Sequence, residues 1–591
     1  MKDFFKMFFA SLLSMVVLGI VGFIIFILVI VSVANSFSSK DTKIVRGDVL
    51  VIDMDKKIHE QGQKNSFAAF SGSSAYEAGL YDMLRALEYA KTDNSIKGIL
   101  LKLSPTPNGW ATLQQLRLGL VDFKSSHKFI YAYGEDISQG TYFAASAADS
   151  VYLNPAGGID LKGFSTELAY FKGALDKLDI VPEIYYAGKF KSATEPFRAD
   201  KISEPNRIQI QAYQASLWDD FLTAVAQHTH TDKDSVNQWA QTGAIQFPND
   251  ALQHKMVDGL LYWDEVEHRI RQKTGQGDRE SIRYVSMDDY ALNARSGNVK
   301  DKHIAILFAE GDITDGESDE AYGIASKNMA ATIRKIRNND DIKAVVLRVN
   351  SPGGSALASE VILRELQLLK EKKPLIVSMG DYAASGGYYI SSQADSIFAL
   401  PTTITGSIGV FSMLFSIDHL MNNKLGVKFD GVKNAPYADV PTITRTMTAE
   451  EGQRLQRSVD TIYSLFKRHV AEGRRLDPAD VDSIAQGRVW TGTDALKIKL
   501  IDGLGGLDRA IHSAASMAKL YNYKIVTYPE AGDKLDGLLK HIKMNTSASE
   551  ALRTALKEEL GSEFDIYKQI SSLKKMNGKA MMTMPFVFSV N

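Results

Sequence analysis

The chain has 591 residues, more than a single hydrophobic core usually serves, so the sequence predicts at least two domains. A net charge of −2 and a hydrophobic fraction of 45% are typical of an ordinary folded protein and provide no basic field for binding nucleic acid. The absence of cysteine excludes disulfides, thiolate zinc sites and a cysteine nucleophile, but it does not identify the cellular compartment.

The first 45 residues predict a membrane anchor. No charged residue occurs between Lys6 and Lys40, and the stretch FFASLLSMVVLGIVGFIIFILVIVSVA is almost wholly apolar. This run exceeds the roughly 20 residues that cross a bilayer, whereas the apolar region of a cleaved signal peptide has about 7–15. We therefore interpret it as an uncleaved anchor, with nearly all later residues on one side of the membrane. Basic residues flank the run on both sides, so the charges leave its orientation open.

The sequence after the anchor repeats itself. SIKGILLKLSPTPNG (95–109) aligns with DIKAVVLRVNSPGGS (341–355), and GEDISQGTYFAASAADSVYLNP (134–155) aligns with GDYAASGGYYISSQADSIFALP (380–401), both at an offset of 246 residues. Matches of this length, in the same order, indicate the duplication of a whole domain. The predicted domains are the anchor (1–45), a first repeat (46–295), a second repeat (296–545) and a C-terminal tail (546–591) with an amphipathic helix over 549–575.

Each repeat alternates apolar strands with amphipathic helices. GILLKLS and KFIYAYG in the first repeat correspond to AVVLRVN and PLIVSMG in the second. Such alternation predicts an α/β fold of parallel βαβ units, in which functional sites form at the carboxyl ends of the strands. The loops NSPGGS and DYAASGG of the second repeat both follow such strands, so we expect them to face each other.

Comparing the repeats identifies a candidate nucleophile and a candidate base. Ser385, in DYAASGG, corresponds to Gln139 in the first repeat, which also has Pro107 and Asn108 in place of the glycine pair of NSPGGS. The first repeat instead carries Lys191, in KFKSATEPF, where the second repeat has Ala438. One repeat therefore supplies a serine without the lysine and the other a lysine without the serine. A single composite site between the repeats explains both losses.

The chemistry of a serine and a lysine suits such a site. A serine hydroxyl needs a positioned base to accept its proton, and Ser385 with Lys191 would form a known variant of that arrangement. The lysine has to be desolvated, because burial lowers its pKa and keeps the amine neutral. The backbone amides of Gly386 and Gly354 are the candidate oxyanion donors. Ser407, in TGSIGV, is a candidate to hold the lysine amine, or alternatively only caps a helix or bonds to backbone.

Two neighbours of Lys191 leave alternatives open. Lys189 lies two residues away, so on a strand both lysines would share a face and spacing alone cannot exclude Lys189 as the base. Glu195 could pair with either lysine, and a pair with Lys191 would hold that amine protonated.

The motifs RVNSPGGS, DYAASGGYYIS, TGSIGV and KSATEPF resemble those of the signal peptide peptidase A (protease IV) family and occur in that family's order. The resemblance is to its long, membrane-anchored, two-repeat form, in peptidase family S49 and the Clp-protease/crotonase-like superfamily, and extends to about residue 545. It implies Ser385 as the nucleophile, Lys191 as the general base and Ser407 as the lysine's partner. It also implies a homotetramer in the bacterial inner membrane, with periplasmic catalytic domains that degrade cleaved signal peptides.

Two other functions are compatible with parts of the pattern. A crotonase-like acyl-CoA enzyme would use the same glycine amides to hold a thioester oxygen, and a non-catalytic membrane scaffold would use the repeats only for assembly. The histidines show no metal-binding grouping such as H-E-x-x-H, and the glycines form no P-loop. The sequence therefore predicts neither a metal nor a cofactor.

Overall fold

The computed structural model describes most of both repeats and one short segment of the tail. The described residues are 48–65, 74, 76–277, 280–293, 302–318, 322–530 and 578–584, with a few separate positions before residue 23. The predicted anchor lies almost entirely outside them, and the predicted helix over 549–575 lies wholly outside. In the part of the chain that is described, no helix combines the length and apolar character that crossing a membrane requires.

The first repeat is built on a parallel sheet. Its strands are β1 (Asp48–Asp53), β2 (Gln63–Lys64), β3 (Tyr76–Glu77), β4 (Ile96–Leu103), β5 (Phe129–Ile137), β6 (Ser150–Ile159), β7 (Val181–Ala187), β8 (Gly259–Leu260) and β9 (Tyr284–Ser286). Its helices are α1 (Leu80–Thr92), α2 (Trp110–Phe123), α3 (Gln139–Ala145), α4 (Lys172–Lys177), α5 (Glu195–Arg198), α6 (Glu204–Thr229), α7 (Lys233–Thr242), α8 (Pro248–Gln253), α9 (Trp263–Thr274) and α10 (Met287–Asn293). The sheet order is β8-β6-β5-β4-β1-β9, and every pair in it is parallel.

The second repeat has a corresponding sheet. Its strands are β10 (His303–Glu310), β11 (Ile313–Thr314), β12 (Ile324–Ala325), β13 (Ile342–Ser351), β14 (Gly353–Ser355), β15 (Leu375–Ala384), β16 (Ser396–Ala399), β17 (Ile404–Gly406), β18 (Val410–Ser416), β19 (Val489–Thr491), β20 (Gly503–Leu504) and β21 (Lys524–Tyr528); the tail adds β22 (Ala580–Thr583). Its helices are α11 (Ser326–Asn338), α12 (Ala356–Lys370), α13 (Gly386–Ser391), α14 (Ala449–Arg474), α15 (Pro478–Ile484), α16 (Gly492–Lys497) and α17 (Leu507–Met517). The sheet order is β19-β17-β15-β13-β10-β21.

The central strands of both sheets are buried on both faces. In β13 the side chains from Ala344 to Val349 are all buried, which is typical of a parallel strand with helices on each face. The apolar runs GILLKLS and AVVLRVN form the equivalent strands β4 and β13, as the alternation predicts. The predicted α/β class and its two repeats are therefore confirmed. The boundary that we predict at 295/296 falls between α10 and β10.

A third sheet joins the two repeats. Its order is β12-β11-β14-β22-β18-β7, so strand β7 of the first repeat belongs to a sheet of the second. The β7 and β18 strands pair antiparallel over seven residues, from Val181 with Ser416 to Ala187 with Val410. Because of this pairing, the segment that follows β7 lies beside the carboxyl end of β15.

Two buried polar contacts also cross between the repeats. The Arg348 guanidinium donates to both carboxylate oxygens of Glu60, at 2.7 and 3.3 Å, and both side chains are almost wholly buried. Asp381, just before the candidate nucleophile, accepts hydrogen bonds from the backbone N–H and the hydroxyl of Thr112 at 2.8 and 2.7 Å. Because a buried charge without its partner is destabilising, these contacts hold the repeats in one relative position.

Candidate active site

Ser385 lies at the turn between strand β15 and helix α13. Its backbone angles are φ 54° and ψ −112°, a conformation that residues other than glycine rarely adopt. Its N–H donates to the Gly406 carbonyl at 2.8 Å, and its carbonyl accepts from the Tyr389 N–H at 2.8 Å, so the turn is held on both sides. The hydroxyl makes no helix-capping bond. Backbone strain of this kind is common at functional sites, where it directs a side chain toward a reacting group.

Lys191 reaches this serine from the other repeat. Its Nζ lies 2.8 Å from Ser385 Oγ, 3.0 Å from Ser407 Oγ and 3.2 Å from the Ser407 carbonyl oxygen. A neutral amine has two N–H donors and one lone pair. When the two donors bond to the two oxygens of Ser407, the lone pair is left to accept the Ser385 proton.

The environment of Lys191 favours the neutral amine. The side chain is 1% exposed, and this burial holds the pKa of Lys191 well below its usual value. Glu195 does not counteract the effect, because its carboxylate accepts hydrogen bonds from Ser203 and Asn206 and makes an ion pair with Arg198 instead. Lys191 therefore makes no ion pair with Glu195, and its amine contacts only oxygens of Ser385 and Ser407.

The two lysines do not share a strand face. Strand β7 ends at Ala187, so Lys189 and Lys191 both lie in the following loop, where Lys191 is buried and Lys189 is not. Lys189 is exposed and its Nζ lies 5.2 Å from the centre of the Phe190 ring. The shared face that a strand would impose therefore does not apply, because β7 ends before either lysine.

The loop that carries Lys191 is fixed against the second repeat. The Phe190 N–H donates to the Gln486 carbonyl at 2.8 Å. A Cβ atom added at Gly487 would lie 2.7 Å from the Lys191 backbone nitrogen, and one added at Gly409 would lie 3.1 Å from Lys191 Cδ. These two glycines therefore make room for the lysine, and the sequence comparison missed both of them.

Ser407 belongs to this cluster and does not cap a helix. It lies between β17 and β18 with φ 51°, and its N–H donates to the Arg488 carbonyl at 2.7 Å. Its side chain is wholly buried, and its two oxygens are the ones that contact Lys191. The sequence left open whether Ser407 holds the lysine amine or only caps a helix or bonds to backbone, and the structure contains the contact with the lysine amine.

The glycine loop and the serine turn face each other. A Cβ atom added at Gly353 would lie 2.7 Å from the Gly386 nitrogen, so a side chain at position 353 would not fit between the two loops. Gly353 has φ 107° and Gly354 has φ 158°. Gly354 and Gly386, whose amides are our candidate oxyanion donors, therefore belong to two loops that meet beside Ser385.

The corresponding residues of the first repeat have structural contacts. The Gln139 amide accepts from the N–H groups of Lys162 and Gly163, at 2.7 and 2.9 Å, and donates to the Gly163 carbonyl. Asn108 accepts from the Ile58 N–H at 2.7 Å. Ala438 is exposed on the surface. The first repeat thus contributes Lys191 to the site but has no serine site of its own at these positions.

The site contains no grouping of metal ligands. Among the described residues there is no set of three histidine, aspartate or glutamate side chains that could hold a metal ion. The groups that meet at Ser385 are hydroxyls, backbone amides and one amine. Such a set supports nucleophilic acyl transfer, in which a base, a nucleophile and oxyanion donors act together.

Comparison with known proteins agrees with this chemistry. The profile of Peptidase family S49 matches residues 122–276 and 367–521, one segment in each repeat. Protease 4 of Salmonella typhi is 35% identical over 558 residues, which cover 91% of this chain and 89% of that protein. Protease 4 of Haemophilus influenzae is 36% identical over 451 residues, covering 74% and 72%. Serine protease SPPA, chloroplastic, of Arabidopsis thaliana is 30% identical over 451 residues, covering 75% and 66%.

These matches confirm the resemblance drawn from the motifs. The two matched segments lie in different repeats, as a duplicated family member requires. The chain therefore belongs to peptidase family S49, in its protease IV group, and is a serine peptidase.

Proposed function

We propose that the chain is a membrane-anchored serine endopeptidase that uses a Ser385–Lys191 dyad to degrade cleaved signal peptides and other apolar peptides. The observation that carries the proposal is the 2.8 Å contact between Lys191 Nζ and Ser385 Oγ, made by a buried lysine. A lysine in this position has no role in solubility or surface charge. Burial favours the neutral form of the amine, and a neutral amine beside a serine hydroxyl is suited to act as a base.

The proposed reaction begins with proton transfer from Ser385 to Lys191. The serine oxygen attacks the carbonyl carbon of the scissile bond, and the developing oxyanion accepts hydrogen bonds from the amides of Gly386 and Gly354. Lys191 then gives its proton to the leaving amine, and an acyl-enzyme ester on Ser385 remains. Water, deprotonated by Lys191, hydrolyses this ester and restores the serine. Ser407 keeps the amine oriented throughout through the two contacts described above.

A fluorophosphonate probe tests this proposal, because it reacts only with an activated serine. We expect stoichiometric labelling at Ser385 in the wild-type chain, and labelling of Lys191→Ala slowed by about 10²–10⁴-fold, the usual contribution of a general base. Mass spectrometry of the labelled peptide identifies the site. An acyl-CoA enzyme of the crotonase type or a non-catalytic scaffold would leave every serine unlabelled, so that result would reject the dyad.

The membrane anchor is part of the proposal and rests on the apolar run after Lys6. We expect membranes washed with carbonate to retain the full-length chain, and deletion of residues 1–40 to release a folded protein into the soluble fraction. By the family resemblance, the anchor is in the bacterial inner membrane and the repeats face the periplasm, so protease added to spheroplasts should digest them. A mature N-terminus just beyond residue 35 would instead establish a cleaved signal peptide.

The pairing of β7, from the first repeat, with β18, from the second, supports a homotetramer. The duplication maps β7 onto 427–433 and β18 onto 164–170. Neither of these counterpart segments is a strand, although both are described. The first of them exposes Val427, Phe429 and Val432. If it pairs with the 164–170 segment of the next chain as β7 pairs with β18, the contact is head-to-tail and repeats around a closed ring.

We expect the chain without its anchor to sediment as a tetramer, and Phe429→Asp with Val432→Asp to sediment as a smaller species, because the charges prevent apolar pairing between chains. Tyr521→Asp is the matched control, since Tyr521 is wholly exposed, as Val432 is, but lies far from either segment in the sequence. Analytical ultracentrifugation distinguishes the species. A wild-type monomer with full peptidase activity would contradict the ring.

A further inference from the structure

Gln209, on helix α6, is a wholly buried polar side chain beside the loop that carries Lys191. Its amide nitrogen donates to the Phe190 carbonyl oxygen at 3.2 Å and to Ser192 Oγ at 3.0 Å, so it bonds to the residues on both sides of Lys191. Its amide oxygen accepts from the Val489 N–H at 3.3 Å. A polar side chain without access to water needs partners inside the protein, and Gln209 has them in both repeats.

The contact with Val489 connects the candidate base to its partner serine. Val489 begins strand β19, and the residue before it, Arg488, accepts the Ser407 N–H on its carbonyl oxygen. Ser407 in turn contacts the Lys191 amine with both of its oxygens. These contacts form a closed ring, which runs from Lys191 through Ser407 and β19 to Gln209 and back to the lysine loop. In this ring, the Gln209 side chain joins the loop of the first repeat to β19 of the second.

The long side chain of a lysine makes such support necessary. Lysine carries its amine on a flexible four-carbon stem, so small changes in the backbone move Nζ far from its partners. Catalytic groups need to be held within about 0.5 Å of the productive geometry by residues around them. Gln209 fixes the peptide groups on both sides of Lys191 and thereby fixes the direction in which the stem leaves the backbone.

The second repeat has no counterpart of this glutamine. Helices α6 and α14 both have 26 residues and both follow a capping hydroxyl, Ser203 in one and Thr448 in the other, so they align at an offset of 245 residues. Gln209 then corresponds to Arg454, whose side chain is exposed. The repeat that lacks the lysine therefore also lacks the buried glutamine, as expected if the two residues act together.

The same network keeps a carboxylate away from the base. Gln209 Nε2 also lies 2.9 Å from Asn206 Oδ1, and the Asn206 amide donates to Glu195 at 3.0 Å. Glu195 is thus bonded to α6, although it follows Lys191 by only four residues. A carboxylate beside the lysine amine would raise the pKa of Lys191 and hold it protonated.

We propose that Gln209 is a positioning residue, which holds the amine of Lys191 where it can accept the proton of Ser385; this rests on the proposed function, in which Lys191 is the base. Gln209 bonds to neither Ser385 nor Ser407 through its side chain, so it acts through the backbone around Lys191. Its loss should therefore slow proton transfer and leave the binding of substrate unchanged.

Gln209→Met tests this role, because methionine has a similar shape but cannot replace the hydrogen bonds of the amide. We expect kcat for a fluorogenic apolar peptide to fall by about 10–100-fold, the usual cost of a misplaced catalytic group, with KM within about twofold of the wild type. Gln139→Met is the matched control, since Gln139 is also buried in the first repeat and makes three hydrogen bonds, and it should keep the wild-type kcat. A wild-type kcat in Gln209→Met, or an equal loss in both variants, would overturn the inference.

The pH profile separates positioning from a general loss of stability. An amine that leaves its buried place beside Ser407 becomes hydrated, and the pKa of Lys191 then rises toward its usual value. The rising limb of kcat/KM should therefore move to higher pH in Gln209→Met and stay in place in Gln139→Met. A limb that stays in place in Gln209→Met would mean that the amine has not moved, and would also overturn the inference.

The charged side chains near the lysine loop do not obscure this readout. They include Lys189, Glu195, Arg198 and Arg488. Glu195 and Arg198 pair with each other, while Lys189 and Arg488 both lie against the Phe190 ring. Among the described residues none of the four makes an ion pair with Lys191, so the shift of the limb reports the surroundings of the lysine amine itself.

Ser192→Ala decides the question if Gln209→Met does not fold. It removes only the hydroxyl that Gln209 bonds at 3.0 Å and leaves the bonds to Phe190 and Val489. We expect the same changes at a smaller size, with kcat lowered about three- to tenfold, as the loss of one hydrogen bond implies, and the limb moved to higher pH. A wild-type kcat and an unmoved limb in this variant would overturn the inference.

The positioning role and the proposed function fail separately in these experiments. If Lys191→Ala is inactive while Gln209→Met and Ser192→Ala both match the wild type, Gln209 has no positioning role and the dyad stands. If Lys191→Ala reacts with fluorophosphonate at the wild-type rate, Lys191 is not the base, and the proposed function is rejected together with the role of Gln209.

Discussion

Ser385→Ala and Lys191→Ala should each lower the kcat for peptide hydrolysis by about four to six orders of magnitude, because each removes one half of the proposed nucleophile–base unit. The distance of 2.8 Å between their reacting atoms makes them act together. The double mutant should therefore be no slower than either single mutant. Hydrolysis of a fluorogenic apolar peptide measures the rates, and circular dichroism checks that each variant is folded.

The controls for this experiment come from the same chain. Lys189→Ala should keep most of the activity, because Lys189 is exposed and lies against Phe190. Gln139→Ala, at the position in the first repeat that corresponds to Ser385, should also remain active. If Lys191→Ala hydrolysed the peptide at the wild-type rate while Lys189→Ala did not, the assignment of the base would be wrong.

The pH dependence of kcat/KM should report the neutral form of Lys191. Burial lowers the pKa of this amine, and only the unprotonated amine accepts the serine proton, so activity should rise with pH through the lowered pKa and then level off. Lys191→Arg should be inactive across the whole range, since arginine remains protonated in proteins. A profile that falls as pH rises from acidic to neutral, or an active Lys191→Arg variant, would contradict the base.

The same pKa shift has a consequence for stability. Folded Lys191 binds fewer protons than unfolded Lys191 between its lowered pKa and the usual lysine value near 10.5, so this residue makes the free energy of unfolding increase with pH over that window. Lys191→Met removes the dependence, and it should therefore stabilise the inactive protein most at the acidic end of the window. Thermal unfolding midpoints of the two proteins, measured at several pH values, check the sign.

The parts of the site that could be predicted are those that the duplication made visible. Ser385 and Lys191 stood out because each has a counterpart that lacks the same chemistry, Gln139 and Ala438. The parallel sheets followed from alternating strands and helices, which depend on local patterns of apolar residues.

The parts that could not be predicted depend on pairing between distant segments. Gly487 makes room for Lys191, but the first repeat also has a glycine at the corresponding position, Gly243, where it ends a helix. The comparison therefore contained no signal for Gly487. Strand β22 was missed because nothing in a four-residue apolar segment identifies its partner strands, and the tail lies outside the family resemblance.

The pairing of β7 with β18 also affects when the peptidase can become active during synthesis. Strand β7 emerges from the ribosome long before its partner β18, and Lys191 precedes Ser385 by 194 residues. The glycine that accommodates the lysine, Gly487, comes later still. Because contacts between such distant residues form only after both have been made, a nascent chain that ends before Gly487 lacks part of the proposed site. A nascent chain is therefore expected to have no peptidase activity until its second repeat has been made and folded.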